Sequence, residues 1–139
     1  MSKRKLALEV LKSKVNLPYI WGGDDSIEGY DCSGLVIEIL KSVGLVEEKF
    51  DTTAHGLSKM YPETDIIQEG TLVYWDWNKD GIIDHVEIVC YIDEADYVYT
   101  IGASGGNSST TSRQKASAQN AYVRVRPLRS GYIMANDPF

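Results

Sequence analysis

The sequence predicts an α+β protein in which helices come first and an antiparallel sheet follows. Up to about residue 60, apolar residues recur at helical spacing. Beyond Pro62, the chain turns into short segments rich in β-branched and aromatic residues, separated by polar or glycine-bearing breaks. No internal repeat is visible and nothing indicates a second domain. We therefore expect one domain over residues 1–139.

Two long helices are predicted in the first third of the chain. The first covers residues 3–15 and ends before Pro18, because proline disfavours helical geometry in the preceding residue. A loop rich in glycine and aspartate follows over residues 19–31. The second helix begins at Cys32 and stops at Gly44. It is apolar on several sides, so we expect it to be the buried central helix.

A third, short helix is capped by Thr52 or Thr53 and reaches about Met60. Residues 102–120 are predicted to form a long polar loop. The predicted strands are TLVYW (71–75), HVEIVCYI (85–92), YVYTI (97–101) and AYVRVRP (121–127).

Composition and charge exclude several classes of protein. Hydrophobic residues make up 43% of the chain and charged residues 24%, as in an ordinary globular domain. No apolar run reaches the roughly 20 residues that span a bilayer, so no membrane insertion is expected. The net charge of −6 argues against a nucleic-acid partner. The basic run from Arg113 to Arg129 is interpreted as a solvated strand face, with contact to an anionic polymer as the alternative. Because the basic start lacks an apolar signal-peptide segment, we expect cytoplasmic synthesis.

Cys32 is the main candidate for chemistry. It lies in GYDCSG, shortly after YIWGG, at the first turn of the predicted central helix. Free backbone N–H groups and the helix dipole favour a thiolate there, so we predict a lowered thiol pKa and a nucleophilic sulfur. Of the two histidines, His85 begins a strand, whereas His55 lies in a short helix, so His85 is the predicted proton acceptor. Cys90 is predicted to be a buried core thiol.

The succession YIWGG, GYDCSGLV, EGTLVYW and DHVEIV resembles the NlpC/P60 cysteine peptidases, over roughly residues 17–105. The resemblance implies a papain-like fold related to the CHAP amidases and peptidases. It implies hydrolysis of peptidoglycan stem peptides, often between D-glutamate and a diamino acid. Cys32 would be the nucleophile and its backbone N–H an oxyanion donor, with His85 as base and then acid. The substrate site would be lined by Tyr19, Asp31 and Ser33.

The resemblance fails at the residue that should orient the histidine ring. In the family this residue is frequently a histidine near the end of the next strand, and here Gly102 stands at that place. Ser104, Asn107, a backbone carbonyl or a water molecule could take over, and the sequence leaves the residue unassigned.

A calcium-loop pattern overlaps the segment DHVEIV, which carries His85. Residues 76–87 read DWNKDGIIDHVE, and Gly81 falls at position 6 of a twelve-residue calcium loop, where the chain turns sharply. The alternative is a polar hairpin loop. We predict a structural Ca²⁺ that supports activity, because His85 lies inside the loop and a metal that fixes the loop would also fix His85. A zinc site is not expected, because too few His and Cys residues occur at ligand spacing. Positions 1, 3, 5, 7, 9 and 12 are Asp76, Asn78, Asp80, the Ile82 carbonyl, Asp84 and Glu87.

The leading interpretation is a monomeric peptidoglycan hydrolase, encoded by a phage or prophage or used by a host to recycle wall fragments. One alternative is an amidase that cuts between the sugar and the first alanine. The other is a non-catalytic, calcium-stabilised wall-binding or tail module on a degenerate peptidase fold. Gly102 favours this second alternative, whereas the presence of both Cys32 and His85 opposes it.

Overall fold

The computed structural model describes residues 2–25 and 29–139. In this part of the chain, three of the four helices lie in the first half and five of the seven strands in the second half. The helices are α1 (Lys3–Lys12), α2 (Cys32–Ser42), α3 (Ala54–Met60) and α4 (Arg113–Gln119). The strands are β1 (Asp24–Asp25), β2 (Gly29–Tyr30), β3 (Leu72–Trp75), β4 (His85–Ile92), β5 (Val98–Ser104), β6 (Tyr122–Pro127) and β7 (Met134–Asn136).

Five of the strands form one antiparallel sheet in the order β6-β5-β4-β3-β7, and β1 pairs with β2 in a separate hairpin. The long strand β4 therefore lies in the middle of the sheet. At its first residue, His85 pairs with Trp75 at the last residue of β3. On its other side β4 pairs with β5, with a register irregularity between Val89 and Tyr91. The start of β4 is thus fixed against the end of β3.

Helix α2 is the central helix and packs against β4 and β5. Its buried residues include Leu35, Val36 and Leu40, which lie on more than one side of the helix. Asp31 caps its N-terminus by accepting a hydrogen bond from the Gly34 N–H at 2.7 Å. A helix buried in this way has a fixed first turn, so Cys32 has a defined position relative to the sheet.

The predicted α+β class with N-terminal helices on an antiparallel sheet is confirmed. The prediction of one polar loop over residues 102–120 is wrong, because β5 continues to Ser104 and α4 forms within the segment. Ser112 caps α4, and Ala116 is fully buried. A seven-residue helix with one buried residue gives no apolar periodicity for a sequence pattern to show.

Strands β1, β2 and β7 were not predicted, because each contains only two or three residues, too few for an alternating pattern. Helix α1 ends at Lys12, three residues before the predicted end. Among the residues that the structure describes, no helix combines the length and the apolar character needed to cross a bilayer.

Candidate active site

Cys32 and His85 line the same cavity, which has a volume of about 570 Å³. The Cys32 thiol donates a long hydrogen bond to the carbonyl oxygen of Asp84, with 4.0 Å between the atoms. The backbone N–H of Val86 also interacts with the Cys32 sulfur. The sulfur therefore contacts the residues on both sides of His85, at the point where α2 meets the start of β4.

The His85 ring is buried and held between aromatic side chains. Trp77 stacks on it with 4.8 Å between ring centroids and 18° between the planes. Trp75 lies 5.6 Å away at 47°. Trp75 is fully buried, whereas 54% of Trp77 is exposed and the side chain lines the cavity. A ligand in the cavity can therefore contact the Trp77 ring that fixes His85 in place.

A buried carboxylate binds one nitrogen of the His85 ring. Glu87 Oε2 lies 2.6 Å from His85 Nε2, and Glu87 is 1% exposed. The Thr100 hydroxyl donates to Oε1 at 2.5 Å, and the Arg129 guanidinium donates to Oε2 at 2.6 Å. Each oxygen of the carboxylate thus has at least one donor, as a buried charge requires.

The protonation of this pair follows from the donors around Glu87. Desolvation acts to raise its pKa, but the hydrogen bond and charge of His85, the Thr100 hydroxyl and the charge of Arg129 together lower the pKa to about 2. At neutral pH the carboxylate is ionised and can only accept hydrogen bonds. His85 Nε2 therefore carries a proton, which leaves Nδ1 as the basic nitrogen of the neutral ring.

Glu87 was not predicted as the residue that contacts the histidine. It can reach the His85 ring because residue 102 is a glycine. A Cβ atom on Gly102 would lie 2.4 Å from Glu87 Cγ, far inside any real contact distance. Glu87 of β4 occupies the space that a side chain at residue 102 of β5 would fill. One sequence signal was available, because residues two apart on a strand point to the same face and Glu87 follows His85 by two.

The other predicted site residues fall into two groups. Tyr19, Ser104 and Asn107 line the cavity with Cys32 and His85. The Ser104 hydroxyl accepts a hydrogen bond from Arg126, and the place next to His85, which the sequence left unassigned with Ser104 and Asn107 among the candidates, is taken by Glu87. Burial raises the pKa of Tyr19, and negative charge on Cys32 or Asp31 acts in the same direction, so the phenol stays protonated.

Asp31 and Ser33 are not among the residues that line the cavity. Asp31 accepts hydrogen bonds from the backbone N–H groups of Gly34 and Gly22, and the Ser33 hydroxyl lies 3.4 Å from the same carboxylate. Both residues are engaged in the cap of α2. His55 is likewise engaged elsewhere, since its Nδ1 accepts a hydrogen bond from the Ile83 N–H.

The predicted lowering of the Cys32 pKa is wrong. Burial is the largest influence and raises the pKa of the thiol to about 12, with a further rise from the negative charge of Asp31. Backbone N–H groups of Val86, Ser33 and Cys32 itself act to lower it but are outweighed. The sulfur is therefore a neutral thiol at rest, and it must lose its proton to a neighbour before or during any attack.

The predicted calcium loop retains only part of its ligand set. The carboxylate oxygens of Asp76, Asp80 and Asp84 lie within 4.8 Å of one another. Glu87, the predicted ligand at position 12, is committed to His85 and cannot complete the set. The prediction of Glu87 as a calcium ligand is therefore corrected: its side chain is buried behind His85 and binds the ring.

Hydrogen bonds within the loop already satisfy much of this carboxylate cluster. Asp76 accepts from the Gly81 N–H at 2.8 Å, and Asp80 accepts from the Ile82 N–H at 3.0 Å. The Asn78 side-chain amide donates to Asp84. Desolvation opposes a fall in the pKa of Asp76, but the N–H groups of Gly81 and other loop residues lower it. These bonds are the polar turn chemistry of the alternative interpretation.

Comparison with known proteins agrees with the fold. Residues 16–129 match the model of the NlpC/P60 family. The chain belongs to the NlpC/P60 family.

Two relatives illustrate the range within the family. The chain is 29% identical over 126 residues to the murein DD-endopeptidase MepH of Escherichia coli, covering 88% of this chain and 45% of the relative. It is 35% identical over 72 residues to the bifunctional muramidase/DL-endopeptidase CwlT of Bacillus subtilis, covering 51% and 22%. The chain thus spans less than half the length of these relatives.

Solved structures show the same fold. An NlpC/P60 family protein from Bacillus cereus superposes with a TM-score of 0.71 at 23% identity, over 96% of this chain and 39% of the other. The NlpC/P60 domain of the peptidoglycan hydrolase SagA superposes with a TM-score of 0.67 at 18% identity, over 99% of both chains.

Gly102→Ala should destabilise the protein because its new methyl group collides with Glu87. We expect a loss of about 1–3 kcal/mol in the free energy of unfolding, measured by urea denaturation. In a Glu87→Ala background the collision disappears, so the cost of Gly102→Ala should fall to near zero. An equal cost in both backgrounds would show that Gly102 does not make room for Glu87.

The Cys32 thiol should react slowly at neutral pH, because only its thiolate form is alkylated. In a Cys90→Ala background, the iodoacetamide rate should keep rising beyond pH 10. Asp31→Asn retains a helix-capping side chain but removes the negative charge. We expect this variant to shift the profile to lower pH. A wild-type rate that levels off below pH 7 would contradict the raised pKa.

Proposed function

We propose that this domain is a peptidoglycan endopeptidase with Cys32 as nucleophile and His85 as general base and then acid. The observation that carries the proposal is the cavity wall shared by a thiol and an imidazole whose Nε2 binds a buried carboxylate. Family membership and the names of the relatives, which are endopeptidases of bacterial wall peptides, supply the substrate class.

The proposed first step starts from a neutral thiol. Because burial holds the Cys32 pKa high, the proton passes to His85 Nδ1 as the sulfur attacks the carbonyl carbon of the amide. The new imidazolium is stabilised by Glu87, which faces it at 2.6 Å across Nε2. In this proposal the backbone N–H of Cys32, at the start of α2, binds the negative oxygen of the tetrahedral intermediate.

The second half of the reaction reverses the proton transfer. His85 returns the proton to the leaving amine as the C–N bond breaks, which leaves a thioester on Cys32. Water then attacks the thioester carbonyl and gives up a proton to His85. The C–S bond breaks, His85 passes that proton to the sulfur, and the acid product leaves the restored Cys32 thiol. The protonated Tyr19 phenol on the cavity wall can donate a hydrogen bond to the bound peptide.

Glu87 acts in this proposal as a positioning residue. It does not touch the reacting atoms, but it selects the ring tautomer in which Nδ1 is basic and it balances the charge of the imidazolium. After His85 and Thr100, Arg129 also helps to hold the pKa of Glu87 low, and its guanidinium lies 5.3 Å from the Trp75 ring centroid and 5.4 Å from that of Trp77.

The amidase alternative and the phage or prophage origin stay predictions. The relatives bear the names DD-endopeptidase and DL-endopeptidase, which favours a bond within the peptide but leaves open which one. Mass spectrometry of digested wall fragments identifies the bond by the terminus that each product carries.

Cys32→Ala should abolish hydrolysis of purified cell walls because it removes the nucleophile. We expect a fall in the rate of turbidity loss by at least about 1,000-fold. Cys90→Ala is the matched control, since Cys90 is the other free cysteine and does not line the cavity. Equal clearing by wild type and Cys32→Ala would instead favour the non-catalytic binding module.

Calcium binding by the loop also stays a prediction, with Asp76, Asp80 and Asp84 as the carboxylate ligands. Calorimetric titration of EDTA-treated protein with Ca²⁺ should give heat and a raised Tm for the wild type. Asp80→Asn removes one charge from the cluster and should weaken both effects. If the wild type gives neither heat nor a shift in Tm, the loop is a polar hairpin and needs no metal.

A further inference from the structure

Positive charge is concentrated in one segment of the chain. Residues 97–136 contain five basic residues and no acidic residue. Because the whole chain has 14 basic and 20 acidic residues, the rest of it holds 9 basic and 20 acidic residues, a net charge of −11. A chain with a net charge of −6 therefore includes a segment with a net charge of +5, which forms β5, α4, β6 and β7. Charge separated in this way creates a local field that attracts anions.

Three of these basic residues form a row on one face of the sheet, and we call Arg124, Arg126 and Arg129 the arginine row. Arg124 and Arg126 lie two residues apart on β6, so their side chains point to the same face, roughly 7 Å apart along the strand. Arg126 pairs with Thr100 of β5, whose hydroxyl binds Glu87, and Arg129 binds Glu87 directly. The row therefore lies on the face that carries Glu87, and it reaches the cavity, which Arg126 and Arg129 line.

The carboxylates of the protein do not balance the arginine row. Burial lowers the pKa of Arg126, and the positive charges of Arg129 and Arg124 lower it further, while Glu87 acts in the opposite direction. Glu87 is bound by both His85 and Arg129. Among the described residues, the ion pairs include Arg129 but neither Arg124 nor Arg126. Three neighbouring cations thus share one carboxylate, and an anionic ligand lowers their mutual repulsion.

Neutral acceptors use few of the hydrogen-bond donors in the row. Arg126 donates to the Ser104 hydroxyl at 3.0 Å, and Arg124 donates to the Asn120 carbonyl oxygen. Each guanidinium has five N–H donors, so both arginines keep donors for a ligand. Guanidinium groups with donors to spare bind phosphate oxygens through short, charge-assisted hydrogen bonds.

The arginine row fits a thin, extended anion. Arg124 and Arg126 follow one another along β6, at a spacing close to that of neighbouring phosphates in an extended polyol phosphate. A wide polyanion such as duplex DNA also covers surface that belongs to the acidic remainder of the chain, where like charges repel it. The row and its surroundings therefore favour a single flexible chain of phosphodiesters.

We propose that the arginine row is a docking surface for a linear polyol-phosphate chain of the bacterial cell wall, separate from the binding of the scissile peptide. The requirement for an extended chain of phosphates rests on the row itself. The choice of a wall polymer rests on the proposed function, which brings the domain to peptidoglycan. The basic run is then a contact for an anionic polymer, the alternative to the solvated strand face that the sequence first indicates.

The test measures the binding of fluorescently labelled poly(glycerol phosphate) to the wild-type protein by fluorescence anisotropy. Raising the salt concentration about tenfold should weaken binding by about 10- to 100-fold, because each phosphate that meets an arginine releases a counterion. Near physiological salt, the double variant Arg124→Gln/Arg126→Gln should bind about 10-fold more weakly. The matched control is Lys49→Gln/Lys59→Gln, which removes the same charge from exposed residues outside the row and should keep the wild-type affinity.

A third variant separates charge from structure. Arg124→Lys/Arg126→Lys should keep most of the affinity, because lysine retains the charge that attracts the polymer. Equal affinity of the wild type and the glutamine variant, or equal losses in the glutamine variant and its lysine-substituted control, overturns the arginine row. The salt dependence is measured on the wild type, so the absence of binding or of a salt effect overturns the row even if the glutamine variant does not fold.

Two further outcomes identify the polymer and separate this inference from the proposed function. If single-stranded oligo(dT) with the same number of phosphates binds as tightly as poly(glycerol phosphate), the assignment to a wall polymer is overturned. If the row binds poly(glycerol phosphate) but the wild type hydrolyses no wall peptide, the docking surface stands and the proposed function fails. If the wild type hydrolyses wall peptides but does not bind the polymer, the proposed function stands and the docking surface fails.

Discussion

The contact between His85 Nε2 and Glu87 Oε2, 2.6 Å long and almost fully buried, is the interaction on which the rest of the site depends. A carboxylate is costly to bury unless donors replace the water it loses. Here three side chains do so, and the low pKa of Glu87 reflects them. Because the carboxylate stays ionised, the histidine tautomer is determined and the nitrogen available for proton transfer is known.

This pair also determines what surrounds it. Glu87 fits only because residue 102 on β5 is a glycine. Gly102 itself has no side chain that could orient the His85 ring, but it leaves the space from which Glu87 does so. Arg129 balances the charge of Glu87 and is held by the tryptophan rings that flank the histidine. One buried carboxylate thus links the geometry of the histidine with the charge of Arg129 on the cavity wall.

Much of the fold, and the position of Cys32 and His85 on one cavity, could be predicted from the sequence. Helix α2 and strand β4 have strong local patterns, and a helix that is apolar on several sides must pack on the sheet. The role of Glu87 could not be predicted in the same way. It depends on a contact across two strands with Gly102, and the same residue also fits position 12 of a calcium-loop pattern. The Cys32 pKa was mispredicted because the effect of the helix N-terminus is local, whereas burial, which outweighs it, depends on tertiary packing.

The most direct test of this account is kcat for peptide hydrolysis by Glu87→Gln, compared with the wild type at neutral pH. Glutamine has nearly the same shape, but its amide can donate to His85 Nε2 and so stabilise the tautomer in which Nδ1 carries the proton. That tautomer cannot accept the Cys32 proton through Nδ1. We expect kcat to fall by about 100- to 10,000-fold in a variant that remains folded. A folded Glu87→Gln protein with wild-type kcat would show that the buried carboxylate does not set the state of the histidine.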